Sequence, residues 1–96
     1  MKFEEHCKRT MEVLGDEYPH VHLWLDALAW DKDKGFNPFH RKFRHHQQGV
    51  AQVRDRWGEG AAKAAERHIL DDLYGPGVND PRLIPVDQAQ YAVSNF

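Results

Sequence analysis

Apolar side chains recur at spacings of three and four residues from Phe39 to Trp57, which is the period of one face of an α-helix. The pattern predicts a helix from about Pro38 to Trp57, the longest in the chain. His46 falls within the apolar stripe and His45 falls towards one edge of it. An imidazole in such a stripe needs partners for its ring nitrogens, because an unpaired polar group is costly to bury.

Four other segments carry helical patterns, and together with the first they predict an all-α fold. They are residues 3–14, 20–30 and 61–74, and a short helix that begins near residue 85. Gly15, Gly58 and Gly75 stand where helices are expected to end. No stretch alternates apolar and polar residues in the manner of a strand. We therefore predict a single domain over residues 1–96, a compact bundle of four to five short helices.

The apolar stripes also predict which helix faces are buried. The stripe of the first helix comprises Phe3, Cys7, Met11 and Leu14. The second helix has an apolar main face and further apolar residues on its other sides, so we expect it to be buried on most faces. The main face comprises Val21, Trp24, Leu25 and Leu28, and the other sides carry Leu23, Ala27 and Trp30. His22 and Asp26 form the polar exception on this helix, four residues apart.

Composition narrows the possible classes of function. The net charge is −2, so bulk charge does not support nucleic-acid or membrane binding. The single cysteine excludes an internal disulfide and a thiolate zinc cluster, and it fits a cytoplasmic location. Neither a signal peptide nor a membrane span is evident. A nucleic-acid surface on the third helix is thus the weakest hypothesis; it would use Arg41, Lys42, Arg44, Arg54 and Arg56.

Histidines lie on or beside the expected inward faces of four helices, and inward side chains of a bundle converge. Imidazoles with a few carboxylates suit a divalent transition metal such as Zn, Fe, Mn or Ni. The predicted metal ligands are His6, His22, His45, His46 and His68. Asp26 and Asp72, each four residues after a histidine, are the candidate catalytic carboxylates. The alternative for each histidine is an ordinary core or surface role.

The order of these residues resembles a family of short proteins from bacteria and their phages. The resemblance rests on His22-Leu-Trp-Leu-Asp26, on the run from His40 to Gly49 with the pattern HRxxRHHxxG, and on His68-Ile-Leu-Asp-Asp72. It implies that His40 belongs to the same pattern as the other histidines. It implies no activity, because the family has none assigned. The alanine-rich segment from Gly58 to Arg67 departs from the family's usual polar loop.

Two functions follow from these patterns. The first is a small metal-binding protein that acts as a metal-dependent hydrolase of phosphoester-type bonds, with a small phosphorylated substrate. The second is a non-enzymatic interaction protein, such as a phage-encoded inhibitor of a host defence system, which binds a host protein. Its interface would lie at the Phe36–Phe39 stretch and the basic Arg41–Arg44 patch. The sequence leaves open whether the protein is an enzyme, and its oligomeric state.

Overall fold

The computed structural model describes residues 2–31, 35–36 and 41–93, and it is an all-α bundle as predicted. Its α-helices are α1 (Phe3–Leu14), α2 (Pro19–Leu25), α3 (Arg41–Arg44), α4 (Gln47–Trp57), α5 (Glu59–Tyr74) and α6 (Gln88–Val93). Single 3-10 turns lie at Ala27–Ala29 and Pro81–Leu83. Two strands of two residues, β1 (Trp30–Asp31) and β2 (Gly35–Phe36), pair antiparallel. No helix within the described ranges is long and apolar enough to cross a membrane.

Helix α5 organises the bundle, because α1, α2 and α4 all pack against it. Its small side chains allow these close approaches: Ala61, Ala62, Ala64 and Ala65 are at most 1% exposed. Beyond them, Ile69 and Leu70 complete the inward face. Val21 and Leu25 of α2 and Val50 and Val53 of α4 pack into the same core. The prediction of an alanine-rich helix that ends at Gly75 is confirmed.

Helix α1 has the predicted bounds but turns a different face inward. Phe3 is 38% exposed and Met11 47% exposed, whereas His6 and Thr10 are each 1% exposed. The predicted stripe is therefore wrong for Phe3 and Met11, although Cys7 is buried as expected. A helix that exposes apolar side chains and buries polar ones must gain from polar contacts inside the bundle.

Helix α2 is shorter than predicted, since it ends at Leu25 and a 3-10 turn follows. Asp26 is its C-terminal capping residue, with its N–H hydrogen-bonded to the His22 carbonyl oxygen at 3.2 Å. The prediction that α2 is buried on most faces is also wrong, because Leu23 is 60% exposed.

The predicted continuous third helix is wrong within the described residues, because α3 ends at Arg44 and α4 begins at Gln47. His46 stands between them in extended conformation, and its Nδ1 accepts the Gly49 N–H at 3.0 Å. A Cβ on Gly49 would lie 1.9 Å from the Arg44 carbonyl oxygen, so only glycine fits at this break between α3 and α4. The predicted start near Pro38 lies outside the described residues.

Candidate metal centre

Six of the seven residues predicted from sequence converge where α1, α2, α5 and the α3–α4 break meet. They are His6, His22, Asp26, His45, His68 and Asp72. His6 comes from α1, His22 and Asp26 come from α2 and its end, and α5 supplies His68 and Asp72. His45 enters from the break before α4. Every imidazole in this cluster is at most 1% exposed.

Asp26, His45, His68 and Asp72 form a four-residue group whose donor atoms face one another; we call it the Asp/His group. Asp72 Oδ2 lies 3.0 Å from His45 Nε2 and 3.2 Å from His68 Nε2. Asp26 Oδ1 lies 3.5 Å and 3.3 Å from the same two nitrogens. One donor atom from each residue falls within 4.8 Å of all the others, so the group could hold a metal ion.

His6, His22 and His68 form a second, all-histidine group with the same 4.8 Å limit. The rings of His6 and His68 stack with centroids 3.6 Å apart, and His22 Nδ1 lies 2.8 Å from His68 Nδ1. His6 Nε2 lies 3.1 Å from Asp72 Oδ1, which is the carboxylate oxygen that faces away from His45. The two groups share His68, so its ring is engaged at both nitrogens.

Both carboxylates of the cluster are ionised at neutral pH. Burial alone would raise the pKa of Asp26, but the hydrogen bond and charge of His68 and the charge of His45 lower it to about 2. Burial opposes ionisation of Asp72 too, yet hydrogen bonds from His45, His6 and His68 hold its pKa well below the ordinary range. Two negative charges therefore face one another in a buried site.

The imidazoles divide by their environment. Burial lowers the pKa of His45 to about 4, despite its hydrogen bond to Asp72. Burial, with His68 and His6 close by, lowers the pKa of His22 to about 4. Burial would also lower the pKa of His68, but its hydrogen bonds to Asp26 and Asp72 raise it instead. At neutral pH, the imidazole rings of His22 and His45 are therefore uncharged.

Two groups that the sequence did not single out anchor the cluster. Thr10 Oγ1 lies 3.1 Å from His22 Nε2 and donates its own proton to the His6 carbonyl oxygen at 2.8 Å. The Glu17 carbonyl oxygen lies 2.9 Å from the same Nε2. The position of Thr10, four residues after His6 on one helix, was the available signal; a backbone carbonyl leaves no signal in the sequence.

The other histidines that the structure describes, His20 and His46, lie outside the cluster. His46 is not part of the cluster, in contrast to the prediction, because both ring nitrogens are used locally: Nδ1 accepts from Gly49, and Nε2 donates to the Phe43 carbonyl oxygen at 3.0 Å. His20 is exposed and contacts the edge of Trp57, with ring centroids 5.0 Å apart. His40 lies outside the described residues.

A separate buried ionic cluster adjoins this one on α5, and we call it the arginine clamp. Asp71, whose side chain is 1% exposed, lies 2.8 Å from Arg67 Nη2 and 3.5 Å from Arg9 Nε. Arg67 also donates to the Val78 carbonyl oxygen at 2.5 Å and to the side chain of Asn79. The clamp therefore ties α5 to α1 and to the loop after Gly75.

Comparison of the chain with protein-family models, with curated proteins and with solved structures gave no match. The family resemblance noted in the sequence therefore stays a prediction. What defines the protein is its architecture: a small all-α bundle around a buried cluster of histidines and aspartates that could hold a metal ion.

Proposed function

We propose that the protein binds a divalent transition-metal ion through Asp26, His45, His68 and Asp72. The spacing of the donor atoms carries the proposal. A tetrahedral zinc ion holds nitrogen and oxygen ligands at about 2.0–2.1 Å, which sets neighbouring ligands about 3.3–3.4 Å apart. The four nitrogen-to-oxygen separations of the Asp/His group run from 3.0 to 3.5 Å.

Charge supports the same conclusion. Two ionised carboxylates with two imidazoles make a set that a divalent cation would render neutral, which lowers the cost of burying both anions. The side chains of His45, His68 and Asp72 are at most 2% exposed, so water does little to screen this charge. Mixed imidazole and carboxylate ligands suit Zn, Fe, Mn or Ni.

The reaction class that best fits such an ion is hydrolysis of a phosphoester-type bond in a small phosphorylated substrate. A bound metal lowers the pKa of its water and stabilises the charge that develops on a phosphoryl oxygen. Asp26 is the ligand on the solvent side, because its side chain is 30% exposed while that of Asp72 is 2% exposed. In this proposal, both aspartates are ligands, and water and substrate approach from the side of Asp26.

Elemental analysis of tag-free protein, before and after a chelator, tests metal binding directly. We expect a stoichiometric transition metal, and re-addition at a hundred times the dissociation constant should stabilise the fold by about 2.7 kcal/mol. For a domain of this size, that is a rise in Tm on the order of 10–20 °C. His68→Ala should abolish the shift, and His20→Ala is the matched control because His20 is an exposed histidine outside the cluster. Protein that is purified without metal and whose Tm does not change when metal is added would refute the proposal.

Hydrolysis needs its own assay on metal-loaded protein. Wild type should cleave an activated phosphodiester such as bis(p-nitrophenyl) phosphate, and Asp72→Asn should not. Protein that is fully loaded but inactive on both phosphomonoesters and phosphodiesters would keep the metal site and reject the hydrolase.

A second candidate function, binding a host protein, is favoured by one surface, which we call the Trp57 patch: Trp24, Arg44, Arg56 and Trp57. The two indoles meet edge to face with centroids 6.4 Å apart, and Arg44 and Arg56 lie 4.2 Å and 4.8 Å from their ring centroids. Burial and the nearby charge of Arg56 lower the pKa of Arg44, so two cations are held close together. Aromatic and arginine side chains are common at binding hot spots.

The two functions separate by mutation. If binding a partner is the function, Arg56→Glu removes it while His68→Ala leaves it in any variant that still folds. If the metal is the function, the result is the reverse. A pull-down from the host that recovers no specific protein would count against the interaction role.

A further inference from the structure

His22 belongs to the all-histidine group by distance, but its hydrogen bonds give it a different role from a ligand. Its Nε2 lies 2.9 Å from the Glu17 carbonyl oxygen and 3.1 Å from Thr10 Oγ1. A carbonyl oxygen can only accept, and the Thr10 hydroxyl already donates its single proton to the His6 carbonyl. Both neighbours are thus acceptors, so His22 Nε2 carries a proton and donates it.

The second nitrogen of His22 is therefore an acceptor in the neutral ring. Its Nδ1 lies 2.8 Å from His68 Nδ1, which is hydrogen-bonding distance, and such a contact needs one proton between the two nitrogens. Because the proton of neutral His22 is at Nε2, the proton in this contact belongs to His68. The chain of donation runs from His68 Nδ1 to His22 Nδ1, and from His22 Nε2 to the Glu17 carbonyl.

This chain decides which nitrogen of His68 is available to a cation. With one proton held at Nδ1, His68 is left with Nε2 facing Asp26 Oδ1 at 3.3 Å and Asp72 Oδ2 at 3.2 Å. In metal-free protein a second proton on Nε2 satisfies the two carboxylate oxygens, and a bound cation would replace that proton. Metal-binding histidines commonly donate their other ring N–H to such a partner, which fixes the tautomer and the ring orientation.

We propose that His22 is a positioning residue that sets the tautomer of His68, and that the cluster holds one ion, in the Asp/His group, and none in the all-histidine group. The tautomer of His68 matters once an ion replaces its Nε2 proton, so the inference rests on the proposed metal binding; the hydrogen bond between the rings of His22 and His68 concerns the protein with or without metal. His22 Nδ1 cannot bind an ion while it accepts a proton from His68. Since His68 has only one lone pair to offer, the two groups that share it cannot both be filled.

Nuclear magnetic resonance of uniformly ¹⁵N-labelled, metal-free protein tests the hydrogen-bond chain. We expect a ¹⁵N–¹⁵N scalar coupling across the hydrogen bond between His22 Nδ1 and His68 Nδ1, and a His22 ring that is protonated at Nε2 alone. A His22 ring protonated at Nδ1, or the absence of the coupling at a temperature where both rings give sharp signals, would overturn the assignment.

Metal titration of three position-22 proteins tests the positioning role. In His22→Ala, His68 loses its acceptor, and we expect metal affinity to fall about 10- to 100-fold, as is typical when an outer partner of a ligand is removed. In His22→Asn, the amide oxygen is bonded to Cγ as Nδ1 is in histidine, so it can accept the same proton and should restore most of the affinity. His20→Ala, on the same helix, controls for the loss of an imidazole.

The titration endpoint reports the number of ions. One ion per chain in wild type and in His22→Asn supports the inference; two ions per chain in wild type, with one lost in His22→Asn, would overturn it. Equal affinity of His22→Ala and wild type would also overturn it. If wild type binds no metal yet shows the coupling, metal binding alone fails and the hydrogen-bond assignment stands, because the spectroscopic arm needs no ion.

Discussion

Asp71 and Asp72 are neighbours on one helix and both are buried, yet they meet opposite surroundings. Asp71 faces two guanidinium groups, those of Arg67 and Arg9. Asp72 faces three imidazoles and, beyond two of them, the carboxylate of Asp26. Guanidinium groups keep their charge in proteins, so the chain itself neutralises Asp71. The groups that the structure places against Asp72 are imidazoles, whose charge depends on pH and which also bind metals.

The contrast separates a buried carboxylate that holds a fold together from one that is available to a ligand. The arginine clamp supplies its own positive charges, and it joins α5 to α1 and to the loop after Gly75. The Asp/His group instead sets two carboxylates against imidazoles, and a divalent cation could bind the same oxygen and nitrogen atoms. Such an arrangement is typical of a site that is retained for function.

Asp71→Asn should have the largest effect on stability. It leaves Arg67 buried beside a neutral amide, and we expect the free energy of unfolding to fall by about 3 kcal/mol, the lower end for breaking a buried ion pair because Arg67 keeps its contact to Val78. Denaturant unfolding of metal-free protein measures this. Metal affinity should be unchanged, and a parallel loss of affinity would mean that the two clusters act as one.

Asp72→Asn should have the opposite profile. It removes a ligand and half of the negative charge, so metal affinity should fall more than a hundredfold, about 2.7 kcal/mol. Isothermal titration with Zn²⁺ or Co²⁺ measures the loss. Metal-free Asp72→Asn should lose less stability than metal-free Asp71→Asn, because repulsion from Asp26 is relieved. Retention of wild-type affinity would remove Asp72 from the site.

His45 and His46 are also neighbours with different roles, since His45 belongs to the Asp/His group and His46 caps α4. His46→Ala removes the cap of α4 and should cost about 1 kcal/mol without changing metal affinity. His46→Asn should restore stability, because asparagine is a good capping residue. His45→Asn, one residue earlier, should abolish metal binding. A thermal melt and a metal titration on all three variants separate cap from ligand, and loss of affinity in His46→Asn would contradict the assignment.

The smallest expected effect is that of mild acid on metal-free protein. His22 and His45 have folded pKa values lowered to about 4, so their contribution to stability is full above about pH 6.5 and is lost as the pH falls through 4. The pKa of His68 is raised, so below about pH 5.5 it is protonated in both the folded and the unfolded state and adds no slope. Going from pH 5.5 to 5.2 should cost about 0.7 kcal/mol, because His22 and His45 are then protonated almost only in the unfolded state. His45→Asn should halve that slope, and an unchanged slope would argue against a buried neutral His45.

The sequence predicted α5 well because local and tertiary preferences agree there: alanines favour both helix and close packing, and Gly75 ends the helix. The break before α4 was not predictable by periodicity, since it depends on a histidine side chain that caps the helix from within the apparent stripe. The inward face of α1 was missed for a related reason. Buried contacts of His6 and Thr10 outweigh the exposure of Phe3 and Met11, and apolar spacing does not register such contacts.

Most of the cluster was nevertheless visible in the sequence. Asp26 and Asp72 follow His22 and His68 by four residues, and this spacing places each pair near one face of a helix. The sequence could not show that α2 and its C-terminal capping residue contact both nitrogens of the His68 ring. His22 contacts Nδ1 and Asp26 contacts Nε2. These two contacts depend on how α2 and α5 cross, which is a property of the packed bundle.

The unequal exposure of the four Asp/His side chains has a consequence for kinetics. Three of them are sealed in the interior, and Asp26 alone among the four reaches solvent to an appreciable extent. An ion would therefore have to enter and leave past Asp26, at the end of the short helix α2. Extraction by a chelator should then proceed at a rate set by the opening of that helix end, and raising the chelator concentration should not accelerate it.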